Sequence, residues 1–191
     1  MPKGTTPMKA FTLATAVLAL TTGMALADGH GNPDVGGAAM FQDKNIVENA
    51  VNSADHTTLV AAVTQAGLVE TLQGEGPFTV FAPTNAAFAK LPAGTVESLL
   101  LPENKDQLVK ILTCHVVAAN ALSGDIVGMI AADGGAHKVA TVGGCEFTLT
   151  TADGKVMIED GQGNVANVTI ADVKQSNGVI HVIDTVLLPA S

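Results

Sequence analysis

Apolar positions recur along this chain with two different periods, and the change from one to the other comes near residue 114. From Asn45 the spacing is helical, with Ile46, Val47, Ala50 and Val51 on one face. Asp55 is placed to cap a second helix, in which Leu59, Val60 and Val63 line up and Gly67 is the C-terminal stop. A short continuation through Leu68, Val69 and Leu72 follows. Thr95 can cap a short helix over 96–100, and Asn104 another in which Leu108, Ile111 and Leu112 form the buried face.

Within this helical half, residues 76–91 (GPFTVFAPTNAAFAKL) break the pattern. Phe78, Thr79, Val80 and Phe81 form a compact β-favouring run, and Pro83 ends it. Thr84 then serves as the N-cap of a helical turn with Phe88 and Leu91 on one face. A strand that stops at a proline and launches a capped turn brings two apolar faces into one core.

From Cys114 the period becomes short and alternating, with glycine and Asx turns between apolar runs. Strands are expected at 114–117, 138–142, 145–151, 156–158, 165–173 and 179–187, with one helical turn near 124–132. Asp153-Gly154 between two alternating runs is a strong two-residue hairpin signal. Helices first and antiparallel strands afterwards define an α+β layout, and no internal repeat is visible.

The N-terminus changes where this domain resides. Lys3 and Lys9 precede an apolar run from Ala10 to Leu20, and Ala25-Leu26-Ala27 offers small residues where a signal peptidase reads them. Residues 1–27 are therefore expected to be a cleaved signal peptide, with no cysteine following to accept a lipid. Residues 28–40, rich in glycine, proline and acid, are expected to be a flexible lead-in, and 41–189 a single domain. The mature protein is expected to be exported, periplasmic or extracellular, without a membrane span and monomeric.

The whole chain has a formal charge of −9, and loss of the two signal lysines makes it −11; arginine is absent. That balance excludes a nucleic-acid partner, which needs clustered cations, and disfavours anionic lipid. Trp and Tyr are also absent, and of Phe41, Phe78, Phe81, Phe88 and Phe147 most are expected in the core, which argues against stacking platforms for sugars or bases. In an exported chain Cys114 and Cys145 are expected to form a disulfide, two buried free thiols being the alternative.

The candidates for chemistry are few. Cys114-His115 is an adjacent pair whose side chains diverge on a strand, which argues against a thiol–imidazole dyad. His115 and His181, with Asp184 as a third donor, could hold a metal; the plainer reading makes both histidines core residues bonded to backbone. Asp153 and the loop Asp160 to Asn164 lack the ordered oxygen ligands of a calcium loop and read as turns. His30 is a further isolated candidate. No nucleophile or phosphate-binding motif is present, so no enzyme and no cofactor are expected.

Three ordered segments resemble the fasciclin-like domain family. FTVFAPTNAAFAKLP at 78–92 is similar to its first signature, NGVIHVIDTVLLP at 177–189 to its second, and CHVV at 114–117 to its Tyr-His motif with Cys114 in place of tyrosine. The resemblance marks Phe78, Phe81, Pro83, Thr84, Asn85, Phe88, His115, Gly178 and His181 as structural signature residues. It implies helices of the N-terminal half packed on an antiparallel β-sandwich or wedge formed mainly by the C-terminal half. It also implies a secreted adhesion module that makes weak contacts with a cell-surface or matrix protein. In some animal members an Asp-Ile pair before the second signature recognises integrins; the matching positions here are Asp172 and Val173. The alternative function is binding of a small apolar ligand in a cleft between helices and sheet.

Overall fold

The computed structural model describes residues 31–190. The expected signal peptide, residues 1–27, and His30 lie outside the described residues.

A small hairpin, β1 (Asp34–Val35) and β2 (Ala38–Ala39), comes first. Helices α1 (Ile46–Ala50), α2 (Thr57–Ala66) and α3 (Val69–Gln73) follow, a 3-10 turn at Ala54–His56 leading into α2. Strand β3 (Phe78–Pro83) precedes α4 (Asn85–Ala89), α5 (Thr95–Leu99) and α6 (Lys105–Cys114). Then come β4 (Val116–Val117), α7 (Ser123–Ala132), β5 (Ala136–Ala140), β6 (Glu146–Ala152), β7 (Lys155–Glu159), β8 (Val165–Gln175) and β9 (Gly178–Ile183).

Seven strands form one sheet in the order β4-β3-β9-β8-β7-β6-β5. Every pairing is antiparallel except β3 with β9, which run parallel with Phe78 opposite Gly178 and Phe81 opposite His181. The two signature segments therefore lie side by side at the centre of the molecule. All six residues of β9 are buried, which fits a strand covered on both faces.

Alternation then divides the core. Val80 and Ala82 of β3 and Ile180 and Val182 of β9 face helices α1 to α6. Phe81 and Ile183 face a second cluster beneath α7, with Phe147, Leu149 and Ile158 from the outer strands. Strand β8 passes from one half to the other: Val165 to Asn167 pair with β7, and the rest pairs with β9 through two register shifts between Val168 and Val173.

Local signals explain several element ends. Gly67 stops α2 in the left-handed region at φ 74°. Asp153 and Gly154 both take positive φ, the requirement of the two-residue hairpin joining β6 to β7. The α+β class and the helices-then-strands order hold. Several details differ. Thr95 is the first residue of α5, after Gly94, instead of its cap. Cys114 ends α6 instead of opening a strand, because the helix's apolar stripe continues through Leu112 to Cys114, and β4 begins only at Val116. The second helix opens with a 3-10 turn after Ser53 instead of being capped by Asp55. Asn104 stands at the start of α6 without capping it through its side chain, which instead reaches the Ser98 carbonyl at 2.7 Å. Phe78 is only half-buried, since it sits at the open end of β3.

Finally, the expected flexible lead-in is packed from residue 34 onward. Val35 and Met40 are buried in the main core, and the Gly36 carbonyl accepts from the Ala54 N–H at 3.2 Å.

Candidate functional site

Polar side chains buried along the β3–β9 seam make the second signature and its neighbours the natural place to look for chemistry. Each proves to have a defined structural partner. His115, just past the end of α6, presents Nδ1 to the Ile111 carbonyl at 2.8 Å and Nε2 to the Leu187 N–H at 2.9 Å. The carbonyl demands a proton on Nδ1 and the amide demands a lone pair on Nε2, so the ring is neutral with its proton on Nδ1. Burial pushes its pKa down to about 4, against the opposing pull of the Ile111 carbonyl and the Asp160 charge.

His181 on β9 has the opposite arrangement. Its Nε2 meets the Ala121 carbonyl at 2.8 Å, while Nδ1 accepts from the Asp172 N–H at 3.3 Å. This ring is held with its proton on Nε2, and it stacks on Phe81 with centroids 5.8 Å apart. Burial lowers its pKa as well, opposed by the Ala121 carbonyl and the Asp172 charge.

Asp172 occupies the irregular part of β8 with φ 58°. Its carboxylate accepts from the Ser123 N–H at 2.6 Å and the Ser123 hydroxyl at 2.5 Å, satisfying a donor at the start of α7. Its neighbour Val173 is 0% exposed and belongs to the main core. The Asp-Val pair thus points into the fold: the carboxylate is engaged by α7 and the valine has no free surface.

Asp184 also serves the fold. It accepts from the Asn167 N–H at 2.8 Å and the Asn167 side chain at 3.0 Å, and Lys90 lies 3.6 Å away. Desolvation would raise its pKa, but the Asn167 and Thr185 hydrogen bonds and the Lys90 charge outweigh that and lower it. The bonds made by His115, His181 and Asp184 lead to different backbone partners, and the three do not converge. Among the described residues no group of three or more His, Cys, Asp or Glu is placed to hold a metal.

The Asp160 loop is likewise closed by protein donors. The Gln162 and Asn164 N–H groups each reach one carboxylate oxygen at 2.9 Å, and the Leu188 N–H reaches the other at 2.9 Å. This is a turn that fastens the C-terminal segment. Thr84 caps α4 by accepting from the Ala87 N–H at 3.2 Å. Asn85 accepts from the Thr58 N–H at 3.0 Å and donates to the Ala54 carbonyl at 2.8 Å, joining the first signature to the start of α2. Pro83 is buried at the end of β3, opposite Ile183, and Phe88 is buried against the helical core.

Gly178 is required by proximity, since a Cβ there would collide with the Phe78 carbonyl across the parallel pair. Cys114 and Cys145 are joined as a disulfide with Cα atoms 5.4 Å apart. The loop before β6 passes so close that a Cβ on Gly143 would lie 2.9 Å from the Cys114 sulfur.

Sequence reasoning overlooked one feature and anticipated a second, a cleft between helices and sheet, without its lining residues. Asn177 ties three segments together, accepting from the Ile46 N–H at 3.1 Å and donating to the Leu72 carbonyl at 2.8 Å and the Gly74 carbonyl at 2.9 Å. Its place before the glycine of the second signature was the available hint. The other is an apolar cavity of about 300 Å³ between α1–α3 and the β3–β9 seam, with His56 in its wall. No periodic signal announces a cavity, because the residues that line it have the pattern of an ordinary core.

The helices packed on a mostly antiparallel seven-stranded sheet, with neighbouring signature strands and backbone-bound core histidines, define a fold-maintaining polar framework of the fasciclin type. A sequence model described as the fasciclin domain matches residues 54–189, and the chain belongs to that family. It is 55% identical over 152 residues to protein sll1483 of Synechocystis sp., covering 80% of this chain and 77% of that one. It is 36% identical over 157 residues to the cell surface glycolipoprotein MPB83 of Mycobacterium bovis, covering 80% of this chain and 63% of that one. The fold matches a solved FAS1 domain pair from the insect cell adhesion molecule fasciclin I with a TM-score of 0.68 and 19% identity. That match covers 77% of this chain, which spans 51% of the domain-pair chain.

Proposed function

We propose that this protein is an exported fasciclin module that makes non-catalytic contacts with a cell-surface or matrix protein, with residues 1–27 removed as a signal peptide and residues 41–189, joined by the hairpin packed against them, acting as a single domain. The observation that supports it most is the commitment of the signature polar groups. The ring nitrogens of His115 and His181 and the carboxylates of Asp160, Asp172 and Asp184 are bonded within the fold, leaving the chemistry of the protein to its surface. Membership of a family that includes a surface glycolipoprotein and an adhesion molecule supports the same reading.

The test is binding of purified, chemically labelled protein to the producing cells and to a matrix-coated surface at low and moderate salt. Saturable binding displaced by excess unlabelled protein is expected. Signal that rises linearly with concentration on every surface would refute the reading. Asp172→Asn, which retains oxygen and nitrogen atoms in place of the carboxylate, should bind as the parent does; loss of binding in a folded variant would return the contact to Asp172.

A further inference from the structure

The cavity between α1–α3 and the β3–β9 seam has its floor on Val80, Ala82 and Ile180 of the seam. Val35 and Met40 of the N-terminal hairpin close one side. Among the described residues that line it, only Val51 and Thr64 are exposed, so its mouth lies between the end of α1 and the last turn of α2. The half-buried side chains of Val47, Val60 and Val69 lead inward from there. Its volume, about 300 Å³, is roughly twice that of an apolar cavity that accepts benzene, giving room for about ten to twelve carbon atoms. Protein interiors keep few voids larger than a water molecule, and an empty one costs stability in proportion to its volume.

Ser53, His56, Thr64 and His115 bring polar atoms to the wall, and each is committed within the protein. Ser53 and His56 are both buried and bind one another, the hydroxyl lying 2.8 Å from Nδ1. Nε2 of His56 has no surface open to the cavity, and the Ala82 carbonyl lies against the ring. His115 spends both nitrogens on backbone groups. The Thr64 hydroxyl, at the mouth, donates to the Val60 carbonyl at 2.8 Å. What the wall offers an occupant is therefore hydrocarbon. Water there would lack the polar partners that hold it in a buried site. A hydroxyl, amide or charge carried in by a ligand would be buried unpaired.

We infer that this cavity is a binding site for an uninterrupted hydrocarbon chain of about ten to twelve carbons, which enters between Val51 and Thr64, lies against the seam and brings no polar atom inside the wall. Affinity comes from removing the apolar surface of the chain and of the wall from water. Selectivity comes from the commitment of the wall's polar groups, since a chain with a hydroxyl or carbonyl at its buried end loses that group's hydration without replacement. Two sources supply such a chain: a free hydrocarbon, and the tail of an amphiphile whose head stays in water at the mouth. This site is independent of the surface contacts proposed above.

The probes are n-hexane, delivered in equilibrated buffer and followed by methyl NMR of the purified protein, and octyl glucoside below its micelle concentration as competitor. Hexane is expected to give saturable shifts, concentrated in the valine, leucine and isoleucine methyl groups of the cavity. Displacement of hexane by octyl glucoside assigns the site to an amphiphile's tail, and hexane binding that octyl glucoside leaves intact assigns it to a free hydrocarbon. Val60→Phe, which enlarges a half-buried lining side chain, should weaken hexane by roughly tenfold or more. Val51→Trp, a change at an exposed position that leaves the core intact, should narrow the entrance and weaken it in the same direction. No saturable shift up to the solubility of hexane overturns the site. So do shifts spread evenly over both core clusters, or binding that both folded variants leave unchanged.

Discussion

Asp172 shows how far a residue's environment can depart from what its sequence neighbours suggest. Beside Val173 it has the form of a short acidic recognition pair, yet the structure gives it two internal duties. Its N–H holds the unprotonated nitrogen of His181, and its carboxylate secures the start of α7. Asp172→Ala removes the second duty and leaves alanine with a positive φ, which asparagine and aspartate tolerate better. Loss of about 1–2 kcal/mol in a denaturant titration is expected, the scale of a lost helix cap. Asp172→Asn should lose clearly less. The aromatic residues of the first signature divide in the same manner. Phe81→Ala, at a position 1% exposed, should cost about 3–5 kcal/mol by opening a cavity. Phe78→Ala should cost distinctly less because that ring is only half-buried. Equal shifts in denaturation midpoint for the two variants would contradict this placement.

At the scale of elements, legibility followed local chemistry. The β3–α4 unit was readable because its proline and threonine act within a few residues of where they stand. The Asp153-Gly154 hairpin was readable for the same reason. The parallel pairing of β3 with β9 was not, since it joins residues about a hundred positions apart and leaves no periodic trace in either strand. Cys114 was misplaced because a helix end and a strand start look alike when both are apolar and buried. Its disulfide nonetheless connects the end of α6 to the loop before β6, so it links the helical half to the strand half. With a separation of 31 residues, reduction should lower stability by about 3–4 kcal/mol in the chain-entropy account. Unfolding with and without reductant, with Cys114→Ala/Cys145→Ala as the control, reads this directly. The double variant should match the reduced parent, and a double variant as stable as the oxidised parent would mean the bridge contributes nothing.

For the whole molecule, a partner-facing site was the least legible feature, because the polar residues that stand out in the sequence were selected by their types and are spent on the interior. Those interior histidines have a collective consequence. His115, His181 and His56 all have pKa values lowered by burial, so each is neutral in the folded protein at pH values where the unfolded chain has begun to bind protons. As pH falls below about 6.5, the unfolded state takes up those protons first, and the equilibrium shifts toward it. The stabilisation is complete above that value and is lost as pH falls toward the folded-state pKa. For His115 the interval runs from 6.5 down to about 4 and corresponds to about 3 kcal/mol. His181 and His56 add to it with the same sign. Stability measured from pH 7.5 to 4 should therefore decline steeply below pH 6.5. His115→Gln should lower stability at neutral pH and flatten the decline, because glutamine replaces the ring with a group that does not titrate. An unchanged slope in that variant would show that His115 is not the residue through which acid acts.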